Sequence, residues 1–252
     1  MPTEPASPIT LALAPRHAAL PSGHPALDAV LADGGWPRGA LSELLLAAPG
    51  IGELPLLLPA LAARVRDGGR VALVAAPWLP CLPAWQAAGI DVQRLLWLDP
   101  PDARSWLWSC EQAVRVPGCT VLAWPGHHPL AMRELRRLQL AAQEGGNLFA
   151  LLRDARTATQ PSPAALRLEL AAGARGQLQV TVRRQRGSAG GRQLLLPLHE
   201  ARARKRLAAW QLPVHMPARA AHHLPEESAR AVARPAPAPD IARIPVGHGD
   251  RP

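Results

Sequence analysis

The chain of 252 residues contains very little of several residue types. It has no Tyr, one Phe and three Cys, and Lys205 is the single Lys among 28 basic residues. The same preference for Arg, Ala, Leu and Pro runs through the whole chain. A net charge of +9 would ordinarily suggest nucleic-acid binding. Because the preference for Arg is general along the chain, this charge is weaker evidence for such binding.

The cysteines and the apolar runs also exclude several classes of protein. Cys81, Cys110 and Cys119 have no CxxC spacing, which argues against a zinc site and a disulfide framework. We interpret all three as small buried apolar residues in a reducing compartment. No stretch reaches the roughly 18 uninterrupted apolar residues of a membrane helix, and the N-terminus lacks the pattern of a signal peptide. The sequence therefore predicts a cytoplasmic protein.

The charge is distributed unevenly along the chain. Residues 1–140 hold 11 basic and 11 acidic residues, residues 141–200 hold 8 and 4, and residues 201–252 hold 9 and 4. Both terminal segments are rich in Pro and Ala, and the C-terminal one lacks helical periodicity beyond about Leu212. The composition predicts a flexible N-terminal arm over 1–20, one folded domain over 21–200, and a basic, disordered tail over 201–252.

Short apolar runs alternate with amphipathic segments inside the predicted domain. Five runs are almost continuously apolar, as buried parallel strands are: Leu41–Ala47, Arg70–Ala75, Arg94–Leu98, Cys119–Trp124 and Asn147–Leu152. Helical spacing predicts helices at His24–Leu31, Leu54–Val65, Pro80–Ala88, after Asp102 as the cap, and at Pro129–Glu144. Three later runs, Leu166–Leu170, Gln177–Val182 and Gln193–Leu198, predict an antiparallel extension. We therefore expect an α/β fold with a doubly wound, mainly parallel sheet.

The turn between the first strand and the helix after it is where a nucleotide-binding α/β protein holds phosphates. The motif there is GxxxxGK[ST]. With its second Gly placed on Gly52, the Lys position is Glu53, the Ser/Thr position is Leu54 and the first Gly position is Ala47. A carboxylate about 4 Å from a phosphate would repel it by on the order of 4 kcal/mol per unit charge at an effective dielectric constant of about 20. Leu54 cannot ligate a cation.

We therefore interpret Gly50, Gly52, Glu53 and Leu54 as a degenerate phosphate loop, and we expect no catalytic residue, no cofactor and no metal. A carboxylate is favourable at a helix N-terminus, so we expect Glu53 to occupy the backbone N–H groups that a phosphate would otherwise bind. Pro55 and Pro59 lead us to expect that the helix begins late or is kinked.

A second candidate site is a cluster of arginines around a Gly-rich turn. Arg183, Arg184 and Arg186 precede the turn and Arg192 follows it. Arginines in such a loop can contact the phosphates of DNA. The alternative is a solvated hairpin tip, and the sequence does not decide between the two.

The tail holds a third candidate site. Arg202, Arg204, Lys205 and Arg206 precede the apolar residues Leu207, Trp210 and Leu212. This pattern is typical of a basic, weakly amphipathic helix that docks in a partner groove. The alternative is an unspecific basic linker.

The order of strands and turns resembles the core of the RecA recombinase family. Residues 22–46, SGHPALDAVLADGGWPRGALSELLL, are similar to the segment that leads into the phosphate loop in that family; Leu27, Asp28, Gly34, Gly35 and Pro37 match it. Residues 88–114, AGIDVQRLLWLDPPDARSWLWSCEQAV, resemble its Gly-Val-Asp…Leu-Leu…Gln-Pro-Asp segment. The resemblance covers roughly residues 21–198 and implies a RecA-like sheet.

Two further departures accompany the degenerate loop. Ala123-Trp124-Pro125 stands where the family has a magnesium-coordinating Asp, and Ala76-Pro77-Trp78 stands before the position of its catalytic Glu. This joint loss resembles the ImuA group of translesion DNA synthesis-associated proteins. The resemblance implies a non-catalytic, damage-induced (SOS) role as adaptor for an ImuB-like, inactive Y-family polymerase-like partner, with RecA and single-stranded DNA as further candidate partners. The alternatives are a SulA-like cell-division inhibitor that binds FtsZ and a DNA-dependent ATPase.

Overall fold

The computed structural model describes residues 19–187 and 190–198, without the side chain of Arg175. Most of the predicted N-terminal arm and all of the predicted tail over 201–252 lie outside these residues. Leu20, which the sequence analysis assigned to the arm, pairs with Trp36 through two backbone hydrogen bonds of 2.8 and 2.7 Å. Leu20 is also buried in the core.

Eight strands of the described residues form one sheet. They are β1 (Ala40–Leu46), β2 (Arg70–Val74), β3 (Leu95–Leu98), β4 (Cys119–Ala123), β5 (Leu148–Asp154), β6 (Leu166–Ala172), β7 (Gln177–Gln185) and β8 (Arg192–Pro197). Their order across the sheet is β3-β2-β4-β5-β1-β6-β7-β8. The first six pair in parallel, whereas β7 and β8 run antiparallel to their neighbours. The predicted fold class is confirmed, with β6 both parallel to β1 and antiparallel to β7.

Helices cover both faces of this sheet because the central strands are almost continuously apolar and so carry apolar side chains on both faces. The helices are α1 (Pro25–Asp28), α2 (Glu53–Arg66), α3 (Leu82–Ala87), α4 (Ala103–Arg115) and α5 (Met132–Gly145). One apolar core lies under α1, α2 and α3, and a second lies under α4 and α5. In β1, Leu44 belongs to the first core and Leu41 to the second, as the two-residue period of a strand requires.

Local sequence signals predicted some helix ends correctly and others wrongly. Asp102 caps α4 as predicted, accepting a hydrogen bond of 2.8 Å from Ser105 N, and the bonds from Ser105 lower the pKa of its carboxyl. The expected late start of α2 is wrong, since the helix begins at Glu53 and continues through Pro59. Helix α1 is shorter than predicted and ends at Asp28.

The prediction for the cysteines is correct for two of the three. Cys110 and Cys119 are buried, and burial raises the pKa of the Cys119 thiol to about 11. Cys81 is exposed, because it lies between β2 and α3 in a loop whose neighbours Leu79 and Leu82 are exposed as well. None of the helices in the described part of the chain is long and apolar enough to cross a membrane.

Candidate functional site

The degenerate phosphate loop lies at the carboxyl end of β1, where α2 begins. The Glu53 side chain folds back onto the loop, and its two carboxylate oxygens accept hydrogen bonds from Gly50 N at 2.8 Å and Gly52 N at 3.1 Å. Glu53 is buried, with 2% of its surface exposed. The carboxylate therefore occupies backbone N–H groups at a helix N-terminus, which is the kind of site that binds phosphate groups in other proteins.

Two glycines give the loop this shape. Gly50 and Gly52 have φ angles of 78° and 124°, which side chains of L-residues rarely adopt. A Cβ atom added to Gly52 would lie 2.5 Å from Leu198 Cδ1. Leu198 follows β8 and packs against the same core as the loop. The loop is thus closed from inside by Glu53 and contacted from outside by Leu198.

The remaining positions of the loop offer no phosphate or cation chemistry. Leu54 is partly buried against the first core and carries no hydroxyl. Ala47 N donates a backbone hydrogen bond of 3.0 Å to Leu170 O, which ties the start of the loop to β6. Within this loop, the N–H groups of Ala47, Gly50 and Gly52 therefore already have acceptors within the protein.

Trp124 directly follows β4, and Trp78 lies four residues after the end of β2; these are the segments that the sequence analysis compared with acid-bearing positions of the RecA family. Trp124 N donates to Val74 O at 3.0 Å, and Trp124 is buried with 8% exposure, whereas Trp78 is 54% exposed. Within residues 19–187 and 190–198, no group of three His, Cys, Asp or Glu side chains is placed to hold a metal ion. This edge of the sheet presents apolar surface instead.

His24 lies against the first turn of α2. Its ring is near the backbone of Leu56 and Pro55, and the added Cβ of the preceding Gly23 would overlap Pro59. Pro59 has no N–H to donate to the Pro55 carbonyl four residues earlier. The Nε2 atom of His24 is buried and has no hydrogen-bond partner among the described residues. Desolvation by burial lowers the pKa of His24 below its ordinary value of 6.5, opposed by the nearby Leu56 and Pro55 backbone and by Asp28.

This environment makes stability depend on pH. A histidine whose pKa is lowered in the folded state binds its proton more readily when the chain unfolds, so stability falls as pH decreases through 6.5 toward the lowered pKa. We expect the free energy of unfolding, measured with urea from pH 7.5 to 5, to fall less in His24→Gln than in the native protein. His127→Gln, a substitution in an exposed loop, should keep the native pH dependence. Equal slopes for all three proteins would contradict this account.

Sequence analysis missed a buried ion cluster around Glu43 in the middle of β1. Glu43 is fully buried, and its carboxylate accepts hydrogen bonds from Arg153 Nη1 at 2.9 Å, from Arg167 Nε at 2.6 Å and from Ser162 Oγ at 2.8 Å. Arg167 also donates to the carbonyls of Thr157 and Ala158, its Nη2 and Nη1 each at 3.0 Å. We name these four side chains, Glu43, Arg153, Ser162 and Arg167, the Glu43 cluster.

The Glu43 cluster fixes the connection between β5 and β6 onto the sheet. Its one signal in the sequence is the acidic residue inside the apolar run LSELLL. A buried acid has to be paired, but its partners lie 110 and 124 residues away, beyond the reach of any local pattern. The cluster stabilises the fold, and its charged groups are too buried to meet a ligand.

The four predicted arginines lie at the end of β7 and the beginning of β8, beside the amino ends of the parallel strands. The degenerate phosphate loop lies at the carboxyl ends of those strands. Arg183 forms an ion pair of 2.6 Å with Glu169, and Arg184 donates to Ser162 O at 2.7 Å. Arg186 and Arg192 are exposed. The four side chains are therefore close in sequence but differ in their surroundings.

The predicted partner-contact residues Leu207, Trp210 and Leu212 lie outside the described residues, as does the basic cluster that precedes them. The comparisons with known proteins add no identification, because the chain matches no protein-family model and no curated protein sequence.

Proposed function

We propose that this chain is a non-catalytic, RecA-like accessory protein of damage-induced translesion DNA synthesis, akin to the ImuA group and located in the cytoplasm. It would act as an adaptor for an ImuB-like polymerase-like partner, and RecA and single-stranded DNA are further candidate partners. The proposal rests on the resemblance over residues 21–198 together with one structural observation: the carboxylate of Glu53 occupies the N–H groups of its own phosphate loop.

That observation supports an adaptor over an ATPase for physical reasons. A nucleotide would have to displace a carboxylate that already accepts two backbone hydrogen bonds in a buried position. Charge-assisted hydrogen bonds of this kind are about twice as strong as neutral ones. The positions after β2 and β4 supply no carboxylate to hold magnesium or activate water, so binding and hydrolysis are both disfavoured.

Restoring the loop alone should therefore not create an enzyme. We expect Glu53→Lys combined with Leu54→Thr to show no phosphate release from ATP, with or without single-stranded DNA. The control is the native protein, which we expect to be equally inactive. Turnover by the double variant at the rate of an ordinary ATPase would mean that another carboxylate serves in catalysis.

The partner contact is expected in the tail. Cutting the chain after Glu200 removes none of the eight described strands, so the melting temperature should stay within a few degrees. Binding to the purified polymerase-like partner should nevertheless fall, and Trp210→Ala should cost about 2 kcal/mol because aromatic residues dominate interface hot spots.

Trp108→Ala is the matched control for this experiment, since Trp108 is an exposed aromatic residue of α4, with 61% of its surface accessible. Equal affinity of the native, truncated and Trp210→Ala proteins would move the interface onto the folded domain. Binding to FtsZ, and not to the polymerase-like partner, would favour the SulA-like alternative.

A further inference from the structure

An open groove of about 400 Å³ lies beside the end of β7, on the edge of the sheet opposite the degenerate phosphate loop. Its walls come from α5, from the segment that leads into β6, and from the residues where β7 ends. Five long polar side chains line it: Gln139, Gln143, Arg184, Gln185 and Arg186. The Gln185 amide is already engaged, because its oxygen accepts a hydrogen bond from Ala32 N at 2.9 Å and its NH₂ group donates to Val30 O at 3.1 Å. Its volume is within the range of small-molecule binding sites in proteins.

The groove presents hydrogen-bond donors. The amide oxygen of Gln139 accepts a hydrogen bond of 3.0 Å from Leu41 N, which leaves its NH₂ group as the part available to a ligand. Arg184 is held in place through Nη1, which donates to Ser162 O at 2.7 Å. Guanidinium groups have only donors to offer. A ligand that fits these groups must therefore supply acceptors.

The electrostatics favour an anion. Among the described residues, no carboxylate lines the groove, and neither Arg184 nor Arg186 forms an ion pair. Asp33 lines a separate cavity of about 20 Å³ that Arg186 also borders, and it is not paired with Arg186. Arg183 is different, because Glu169 neutralises it.

The remaining residues that line the groove indicate which class of anion it can bind. Pro163, Ala164, Ala165 and Gly187 supply the other walls, so among the described residues the groove has no aromatic ring on which a base could stack and no deep apolar pocket for a peptide anchor. Two guanidinium groups together with amide donors suit the several oxygens of a phosphate, which arginine binds in a bidentate manner.

We propose that this groove is a phosphate-binding site, formed by Arg184, Arg186, Gln139 and Gln143, for a free phosphate or for the phosphodiester of a nucleic-acid strand. It refines the nucleic-acid contact of the proposed function and does not depend on the polymerase-like partner. It also divides the four predicted arginines: Arg184 and Arg186 contact the ligand, whereas Arg183 and Arg192 do not.

The test uses the full-length protein at about 150 mM salt, where charges more than about 8 Å apart are largely screened. The probes are inorganic phosphate, an abasic single-stranded oligonucleotide and an oligoglutamate peptide. Arg186→Glu and Gln143→Glu each place a carboxylate at an exposed position of the groove. Arg192→Glu makes the same charge change as Arg186→Glu, on the same hairpin but outside the groove.

We expect a phosphate probe to bind, and Arg186→Glu and Gln143→Glu each to weaken it at least tenfold, while Arg192→Glu changes the affinity less than threefold. Binding of inorganic phosphate would identify a free phosphate as the ligand, and binding of the abasic strand alone would identify a nucleic-acid strand. The proposal is overturned if no phosphate probe binds, if oligoglutamate binds as tightly as the phosphate probes, or if Arg192→Glu weakens binding as much as Arg186→Glu. Failure of these tests would leave the partner titration of the proposed function unaffected, so the two can be judged separately.

Discussion

Glu43→Ala should lower the free energy of unfolding by about 3–5 kcal/mol, because it leaves two buried guanidinium groups without a counter-charge. Arg153 and Arg167 are 5% and 7% exposed, so water cannot replace the lost carboxylate without opening the connection between β5 and β6. Urea denaturation at pH 7, followed by tryptophan fluorescence and by circular dichroism, measures the change.

The matched control is Glu144→Ala, which removes the acid of a surface ion pair with Arg115. That pair is exposed, with 39% and 60% of the two side chains accessible, and such pairs contribute about 0–1 kcal/mol. A loss for Glu43→Ala as small as the loss for Glu144→Ala would show that the Glu43 cluster does not stabilise the protein.

Glu53→Ala should also be destabilising, and it should create a site for anions. Gly50 N and Gly52 N would lose their acceptors, which should cost about 3–6 kcal/mol since hydrogen bonds to charged groups contribute about 1.5–3 kcal/mol each. Sulfate or phosphate that enters the vacated loop would recover part of this, by about 2.7 kcal/mol at a concentration one hundred times the dissociation constant.

Thermal unfolding in sulfate against chloride at equal ionic strength measures that recovery. Sulfate stabilises proteins in general. The comparison therefore needs a control variant that also removes a Glu side chain bonded to backbone N–H near a helix N-terminus. Glu134→Ala is suitable: Glu134 accepts a hydrogen bond of 2.7 Å from Ala131 N at the exposed N-terminus of α5. We expect sulfate to raise the melting temperature of Glu53→Ala more than that of Glu134→Ala or of the native protein. Equal shifts in all three would show that the loop does not accept an anion.

The sheet could be predicted because its signals are local. The near-continuous apolar runs of β1, β2 and β4 mark strands covered on both faces, and the Asp102 cap marks the start of α4. Strand ends moved by up to three residues: β7 continues to Gln185 in place of Val182, so Arg183 and Arg184 belong to the strand and not to the turn where they were expected. The expected position of Glu53 among loop N–H groups followed from helix-terminus electrostatics, and the two hydrogen bonds agree with it.

Features that depend on contacts between distant residues could not be predicted. The charged partners of Glu43 come from β5 and β6, and no residue near Glu43 in the sequence indicates which residues they are. The continuation of α2 through Pro59 depends on tertiary packing, because Gly23 and His24 cover that turn. The different surroundings of Arg183 and Arg184 likewise depend on Glu169 and Ser162, which lie on other segments.

A calorimetric titration of the full-length native protein with a non-hydrolysable ATP analogue and magnesium tests the central claim, that Glu53 occupies the phosphate loop in place of a nucleotide. Because the carboxylate already accepts the hydrogen bonds of Gly50 N and Gly52 N, we predict no binding heat at nucleotide concentrations up to about 1 mM, which would correspond to a binding free energy weaker than about −4 kcal/mol. Saturable binding with a micromolar dissociation constant would contradict the account.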